Sequence, residues 1–532
     1  EFVAQEEMDR HEGYWWAPDS RSLLFEEANA DGVEVWQIGD PFQPASDPAP
    51  QFYPRPGRSN VVVRLGTVPV SGGKPRWLSW DTTRHPYLAR VDWHAAGGLT
   101  LTVQSRDQRD LALLAVDPRR NQSRVLLTER DDAWINLNPA FPKWLADGSG
   151  FLWASERGGA WQVELRRQDG SLDRVIVPGT SGWQGLAELD EQLGELRFRA
   201  SADPTREDVW TVPLRGGTPR RLTDGAGIQT LTFGATNGLQ VLTTITATRM
   251  ARWEVRTRDG QVLGTLPSVA EAPPFVPQVE FARVGDGEGW HVRITRPRTF
   301  EAGRKYPVIV DVYGGPHAQV VRQTMDKLLI TQWLADQGFL VVAADGRGTP
   351  GRGRAWERAL AGRLGPVPLA EQAAALRAMA QRWPELDLDR VGITGWSFGG
   401  YLSAYAVLRE PGLFRAAVAG APVIDWYDYD THYTERYLGV PPAADAAYRE
   451  SSCLTYAADL RRPLLLIHGT RDDNVFFRHS LRLVDALVRA GKPVEVLPLP
   501  GFTHMLPDPV VAEQRWLRTV EFFHRHLGSR GP

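Results

Sequence analysis

Hydrophobic positions follow two different rhythms along this chain. Up to about residue 265 they come in short runs of β character, such as Ser22-Leu23-Leu24-Phe25, Leu99-Thr100-Leu101-Thr102-Val103 and Phe151-Leu152-Trp153. Each run follows a turn signal, Pro18-Asp19, Gly97-Gly98 or Asp147-Gly148-Ser149-Gly150, as strands bounded by tight turns do. The modules resemble one another: Trp16, Trp93 and Trp144 each stand just before a turn and a strand, and weaker modules lie near Leu186 and Leu231. Irregular units of this kind predict the four-stranded blades of a β-propeller, with a β-sandwich as the alternative. Around Ala270-Glu271-Ala272-Pro273-Pro274 the rhythm changes. Apolar strands at 307–313, 339–345, 391–394, 416–419, 464–467 and 494–497 then alternate with helical spacing, as in Leu369 to Trp383. That alternation predicts a doubly wound, mostly parallel sheet covered on both faces. The expected domains are a propeller over 1–268 and an α/β domain over 269–532.

Composition changes this picture little. With 61 Lys+Arg against 64 Asp+Glu, the formal net charge is −3, which gives no electrostatic case for a nucleic-acid or membrane-surface partner. One cysteine, Cys453, excludes an internal disulfide. No apolar run approaches the roughly 18 residues of a membrane span. The chain opens on Glu1-Phe2-Val3-Ala4-Gln5 without a Met or a signal-peptide pattern. A cytoplasmic location is therefore the expectation, with periplasm and secretion left open.

The chemistry is concentrated in the second half. A strand, Arg390-Val391-Gly392-Ile393-Thr394, runs into Gly395-Trp396-Ser397-Phe398-Gly399-Gly400 and then into a helical pattern from Tyr401 to Leu408. This is G-x-S-x-G in the strand–turn–helix setting that makes Ser397 the expected nucleophile of an α/β-hydrolase domain. The acid and the base should follow in that order after later strands. Asp472 follows the strand at Leu464–Ile467, with Asp473 as a rival, and His504 lies in the loop after the last strand. His504 is the expected general base and Asp472 its orienting acid. His468 reads as structural, and Asp345 and Asp425 are minor rivals for the acid.

Four segments, Asp311–Pro316, Gly395–Gly400, Trp426–Tyr437 and His468–Val475, resemble the prolyl oligopeptidase superfamily of serine peptidases, and more narrowly the dipeptidyl peptidase IV family. Glu6-Glu7-Met8-Asp9-Arg10 and Gly13-Tyr14-Trp15-Trp16 look like the branch holding the cytosolic dipeptidyl peptidases and their bacterial relatives. The resemblance implies that the Tyr313 hydroxyl and the Phe398 backbone N–H are oxyanion donors. It implies a proline pocket of Phe398, Val423, Trp426, Tyr429, Tyr433 and Val475, with Asn474 holding the substrate's second carbonyl. Glu6 and Glu7 would anchor the peptide N-terminus. On residue type alone, Tyr313 could be a sheet-end aromatic, the pocket aromatics ordinary core and Glu6-Glu7 a solvated surface pair.

The chain departs from the family pattern in two respects. Phe398 stands where the family has Tyr, which removes one pocket hydroxyl. Only about five modules can be counted where the family has eight blades, and no arginine lies upstream of Glu6. The propeller is accordingly expected to be incomplete on its N-terminal side, with the missing blades on absent N-terminal residues or another polypeptide. The implied activity is release of N-terminal Xaa-Pro or Xaa-Ala dipeptides from peptides with a free N-terminus, without cofactor or metal, and with homodimerisation left open. Alternatives are an acylaminoacyl peptidase, a prolyl tripeptidyl peptidase, a prolyl oligopeptidase-type enzyme, a carboxylesterase or an inactive propeller scaffold.

Overall fold

A computed structural model describes residues 1–40, 42–225, 227–234 and 237–528. Five consecutive four-stranded antiparallel sheets occupy the first half, each a meander of neighbouring strands. They begin at the strands Tyr14–Trp16, Tyr87–His94, Lys143–Trp144, Trp183–Asp190 and Ile228–Phe233. The five modules read from the sequence fall on these five sheets. Trp16, Trp93 and Trp144 lie at or next to the end of the first strand of the first three, and Leu186 and Leu231 lie on the first strand of the last two. Adjacent sheets share apolar clusters. Leu24 and Leu65 of the first pack with Leu99 and Leu101 of the second. Leu113, Phe151 and Phe198 join the second, third and fourth, and Val209 and Leu231 join the fourth to the fifth. This face-to-face stacking of short meanders is the propeller arrangement. A two-stranded hairpin, Val35–Ile38 with Ala49–Phe52, projects from the first sheet between its second and third strands.

The second half is one eight-stranded sheet. Two antiparallel strands, Val279–Val284 and Trp290–Thr295, precede a parallel series that includes Tyr306–Asp311 and Leu386–Trp396 as neighbours. Successive residues of the parallel strands enter opposite cores. Val308 and Val310 pack on one face and Ile309 on the other, and Leu464 and Leu466 part from Leu465 and Ile467 in the same way. Both faces are covered, so a period-two strand reads as continuously apolar. The helices Pro366–Arg382 and Phe398–Arg409 cover one face, and Leu329–Asp336 and Pro509–Leu527 the other.

Charge and polarity stitch the two halves together. Arg106 makes a two-pronged contact with Glu435, both bonds 2.7 Å, and the Glu435 side chain is fully buried. Arg55 reaches Asp428 at 2.6 Å, and Arg358 reaches Glu156 at 2.6 Å. Planar guanidinium forks suit such bidentate carboxylate contacts.

Leu466 is fully buried in the strand that leads to Asp472. Leu466→Ala is expected to destabilise the hydrolase half by about 2–5 kcal/mol, measured as a lower urea midpoint of that half's unfolding transition. A shift worth under about 1 kcal/mol would mean that the site collapses around the cavity or is less tightly packed than described.

Candidate active site

Ser397 sits between the strand Leu386–Trp396 and the helix Phe398–Arg409, with φ 58° and ψ −117°. An L-residue reaches that region only when its surroundings force it. The surroundings here are backbone. A Cβ on Gly395 would lie 2.2 Å from the Val312 carbonyl oxygen, and one on Gly399 would lie 2.1 Å from the same atom. Without side chains at both positions, the turn rests directly on the segment that carries Tyr313. The Ser397 N–H donates to the Gly420 carbonyl at 2.9 Å. Phe398 opens the helix, where backbone N–H groups have no acceptor within the helix itself.

Asp472 and His504 meet in the loops after the strands Leu464–Gly469 and Glu495–Leu499. Asp472 Oδ2 is 2.7 Å from His504 Nδ1. Asp472 Oδ1 accepts from the Asn474 and Val475 N–H groups at 3.1 and 2.9 Å. Burial of this carboxyl opposes its ionisation, but hydrogen bonds from His468 and His504 outweigh it and hold Asp472 down at about 2. The rivals lie elsewhere. Asp473 is exposed, Asp345 accepts from the Val320 and Val321 N–H groups, and Asp425 is paired with Arg482. His468, read as structural, also touches Asp472: its Nε2 is 3.2 Å from Asp472 Oδ2 and 2.7 Å from the Val475 carbonyl oxygen. The Trp396 indole N–H donates to the His504 carbonyl at 3.0 Å, tying the histidine loop to the residue before Ser397.

The residues expected to form a proline pocket fall together. Trp426 stacks on Tyr433 at 5.8 Å, with Tyr429 edge-on to both and Phe398 tilted against Trp426. Val423 and Val475 belong to the same buried cluster. Tyr313 faces the Phe398 ring at 5.8 Å. Burial, and after it the Glu7 carboxylate, pushes the Tyr313 hydroxyl up to about 12, so it stays a donor near neutral pH.

The propeller half delivers Glu6 and Glu7 to the same place on the helix Phe2–Glu7. Glu6 Oε1 accepts from the Asn474 side-chain amide, whose oxygen accepts from the Tyr429 hydroxyl at 2.8 Å. Burial and the neighbouring Asp430 carboxylate push the Glu7 carboxyl well above the ordinary range, against the opposing pull of Arg436. Asp430 is pushed up to about 7 by burial, with Glu6 adding to the rise. Sequence reasoning passed over Asp430 and Arg436 as site residues, although both lie in one of the quoted segments. Their polarity on a short helical pattern was the available signal.

The elbow geometry carries its own test. Gly399→Ala would drive a methyl into the Val312 backbone and is expected to remove hydrolytic activity and lower the melting temperature. Gly412→Ala, with nothing within 4 Å of the added carbon, should do neither. Activity in Gly399→Ala matching that of Gly412→Ala would contradict the described turn.

Comparison with known proteins places this geometry in context. The chain matches the "Prolyl oligopeptidase family" over residues 326–530 and the "Dipeptidyl peptidase IV (DPP IV) N-terminal region" over residues 1–247. It is 26% identical to dipeptidyl peptidase 8 of Homo sapiens, covering 99% of this chain and 69% of that one. It is 27% identical to probable dipeptidyl-aminopeptidase B of Emericella nidulans, covering 89% of this chain and 56% of that one. The crystal structure of Porphyromonas gingivalis dipeptidyl peptidase 4 superposes with a TM-score of 0.91 at 25% identity, covering 99% of this chain and 76% of that one. The α/β-hydrolase sheet and the propeller thus each carry a match: the second half holds a peptidase domain of the prolyl oligopeptidase family, and the first half a dipeptidyl peptidase IV N-terminal region.

Proposed function

We propose that this chain is a serine exopeptidase that releases N-terminal dipeptides, with proline or alanine as their second residue. The observation that carries the reading is the meeting of Glu6 with Asn474, two residues from Asp472. It joins a carboxylate pair on the propeller half to the loop that holds the acid on the other. A free peptide N-terminus has a pKa of about 8 and is largely an ammonium at neutral pH. Glu6, Glu7 and Asp430 bring more negative charge than Arg436 offsets, and an ammonium relieves that excess through charge-assisted hydrogen bonds. The aromatic cluster offers apolar faces to a flat pyrrolidine ring. A peptide held at both points presents the carbonyl of its second residue to Ser397.

The chemistry then follows from the roles of the groups. Ser397 Oγ attacks that carbonyl carbon while His504 takes the hydroxyl proton, and Asp472 stabilises the imidazolium. The carbonyl electron pair moves onto oxygen, where the Tyr313 hydroxyl and the Phe398 N–H donate to it. Collapse of the intermediate breaks the peptide bond, His504 gives its proton to the leaving amine, and a dipeptidyl ester of Ser397 remains. Water, deprotonated by His504, repeats the sequence and frees the dipeptide.

The same reading takes 1–268 as the propeller and 269–532 as the peptidase domain. Tyr14, Trp16 and Val62 on the first sheet and Val262, Leu263 and Leu266 on the fifth are exposed. Such apolar surface on the two outer sheets suits cover by further blades, which supports an incomplete ring. Among the described residues, no helix is long and apolar enough to cross a membrane. The thiol of Cys453 is free and buried, which fits the cytoplasm.

Tyr313→Phe removes one donor to charge that exists only in the intermediate. It is expected to lower kcat by about 10²–10³ with little change in KM, measured on an Xaa-Pro p-nitroanilide; an unchanged kcat removes Tyr313 from the mechanism. Acetylating the substrate's N-terminus is expected to lower kcat/KM by at least about a hundredfold, and Glu6→Gln should lower it on the free substrate. Equal rates on free and acetylated substrates would overturn the amine anchor and favour an acylaminoacyl peptidase or an oligopeptidase.

A further inference from the structure

Tyr53 is fully buried one residue beyond the projecting hairpin, with no place in the catalytic chemistry. Its ring packs against Phe2 at 4.7 Å and edge-on against Phe476 at 4.6 Å. Phe2 begins the helix that ends in Glu7, and Phe476 follows the loop holding Asp472 and Asn474. The Tyr53 hydroxyl donates to the Asn474 carbonyl at 3.2 Å. Two neighbours on the hairpin reinforce the contact: Gln51 donates to the Asp473 carbonyl at 3.0 Å, and Trp36 stacks on Phe476 at 4.8 Å. Burial, followed by Asp430, Glu7, Glu6 and Asp472, pushes the Tyr53 hydroxyl well above its ordinary value. The hydroxyl therefore keeps its proton while carboxylates of both halves surround it.

The helix Phe2–Glu7 has six residues. An isolated helix that short does not hold its shape in water, so packing must fix its position. Val3 and Met8 hold it against Tyr87 and Ala89, on the propeller side. Phe2 on Tyr53, together with the Glu6–Asn474 hydrogen bond, registers it against the Asn474 loop. Asp472, by contrast, is held by its own bonds to His504, His468 and the Asn474 and Val475 N–H groups. Loss of the Tyr53 hydroxyl should thus disturb the substrate-holding parts more than the acid.

We infer that Tyr53 is a positioning residue that sets the spacing between the Glu6–Glu7 pair and Asn474, and so fixes how well a free peptide N-terminus is held. This inference rests on the proposed role of that pair as the amine anchor. Its distinguishing mark is a selective loss. An amine-bearing dipeptidyl substrate should suffer, while a small ester, which needs only the acylating machinery, should not.

The experiment compares the full chain with its Tyr53→Phe variant on H-Gly-Pro-p-nitroanilide, its N-acetylated form and p-nitrophenyl acetate. Tyr53→Phe leaves the half-buried Asn474 carbonyl without this donor, a loss worth about tenfold in binding. The expected result is a KM about tenfold higher on the free-amine substrate, a kcat within about threefold, a smaller preference for free over acetylated peptide, and ester hydrolysis within about twofold. Phe2→Leu, which removes the other ring contact, should shift KM in the same direction and decides the question if Tyr53→Phe yields no soluble protein. An unchanged KM in an unmutated background that prefers the free amine overturns the role of Tyr53 alone. A parallel fall on peptide and ester also overturns it, since that is general damage. An unmutated enzyme with no preference for the free amine overturns the anchor reading itself.

Discussion

Two carboxylates, Glu7 and Asp430, face one buried arginine, Arg436, where the two halves of the chain meet, and Glu6 lies beside them. Burial first, and like charge after it, push the Glu7 and Asp430 carboxyls up. Arg436 is itself fixed by Gln108 of the propeller half and by His432 on its own helix. The charge excess is therefore a property of the assembled interface, since neither half holds all four groups.

The catalytic half answers a different constraint. Ser397 must stand proud of a sheet whose faces are both buried, and its backbone is bent into a left-handed region to do so. Gly395 and Gly399 make that possible by letting the turn lie on the Val312 carbonyl. The same contact brings Tyr313, the next residue, beside Phe398. The proposed nucleophile and the proposed oxyanion donor thus share one packing event. The interface ion pairs, Arg106 with Glu435 and Arg55 with Asp428, then set the propeller half against this frame.

Much of this was legible in the sequence because the determinants are local. The parallel strands read clearly because residues such as Val308, Ile309 and Val310 are apolar toward both cores. The five Trp- and Leu-centred modules fell on five sheets because each blade closes with its own turns. The opening pair Val279–Val284 and Trp290–Thr295 was not read, since Glu280, Arg283, His291 and Arg293 interrupt its apolar pattern. The helix Thr431–Leu438 is buried throughout despite Thr, His, Glu and Arg, so its composition resembles surface. Tyr53 was invisible for another reason. Its partner Asn474 lies 421 positions away, and no local pattern marks a residue whose role is to join distant segments.

On the proposed function the chain cuts by counting from a free N-terminus, and the products of a single peptide reveal whether it does. A synthetic oligopeptide with a free N-terminus, proline at its second position and a further proline inside can be incubated with the enzyme and its fragments weighed by mass spectrometry. The expected result is early release of the intact N-terminal dipeptide, with the internal proline untouched until it reaches second position. Early cleavage after the internal proline, or release of a tripeptide, would contradict it.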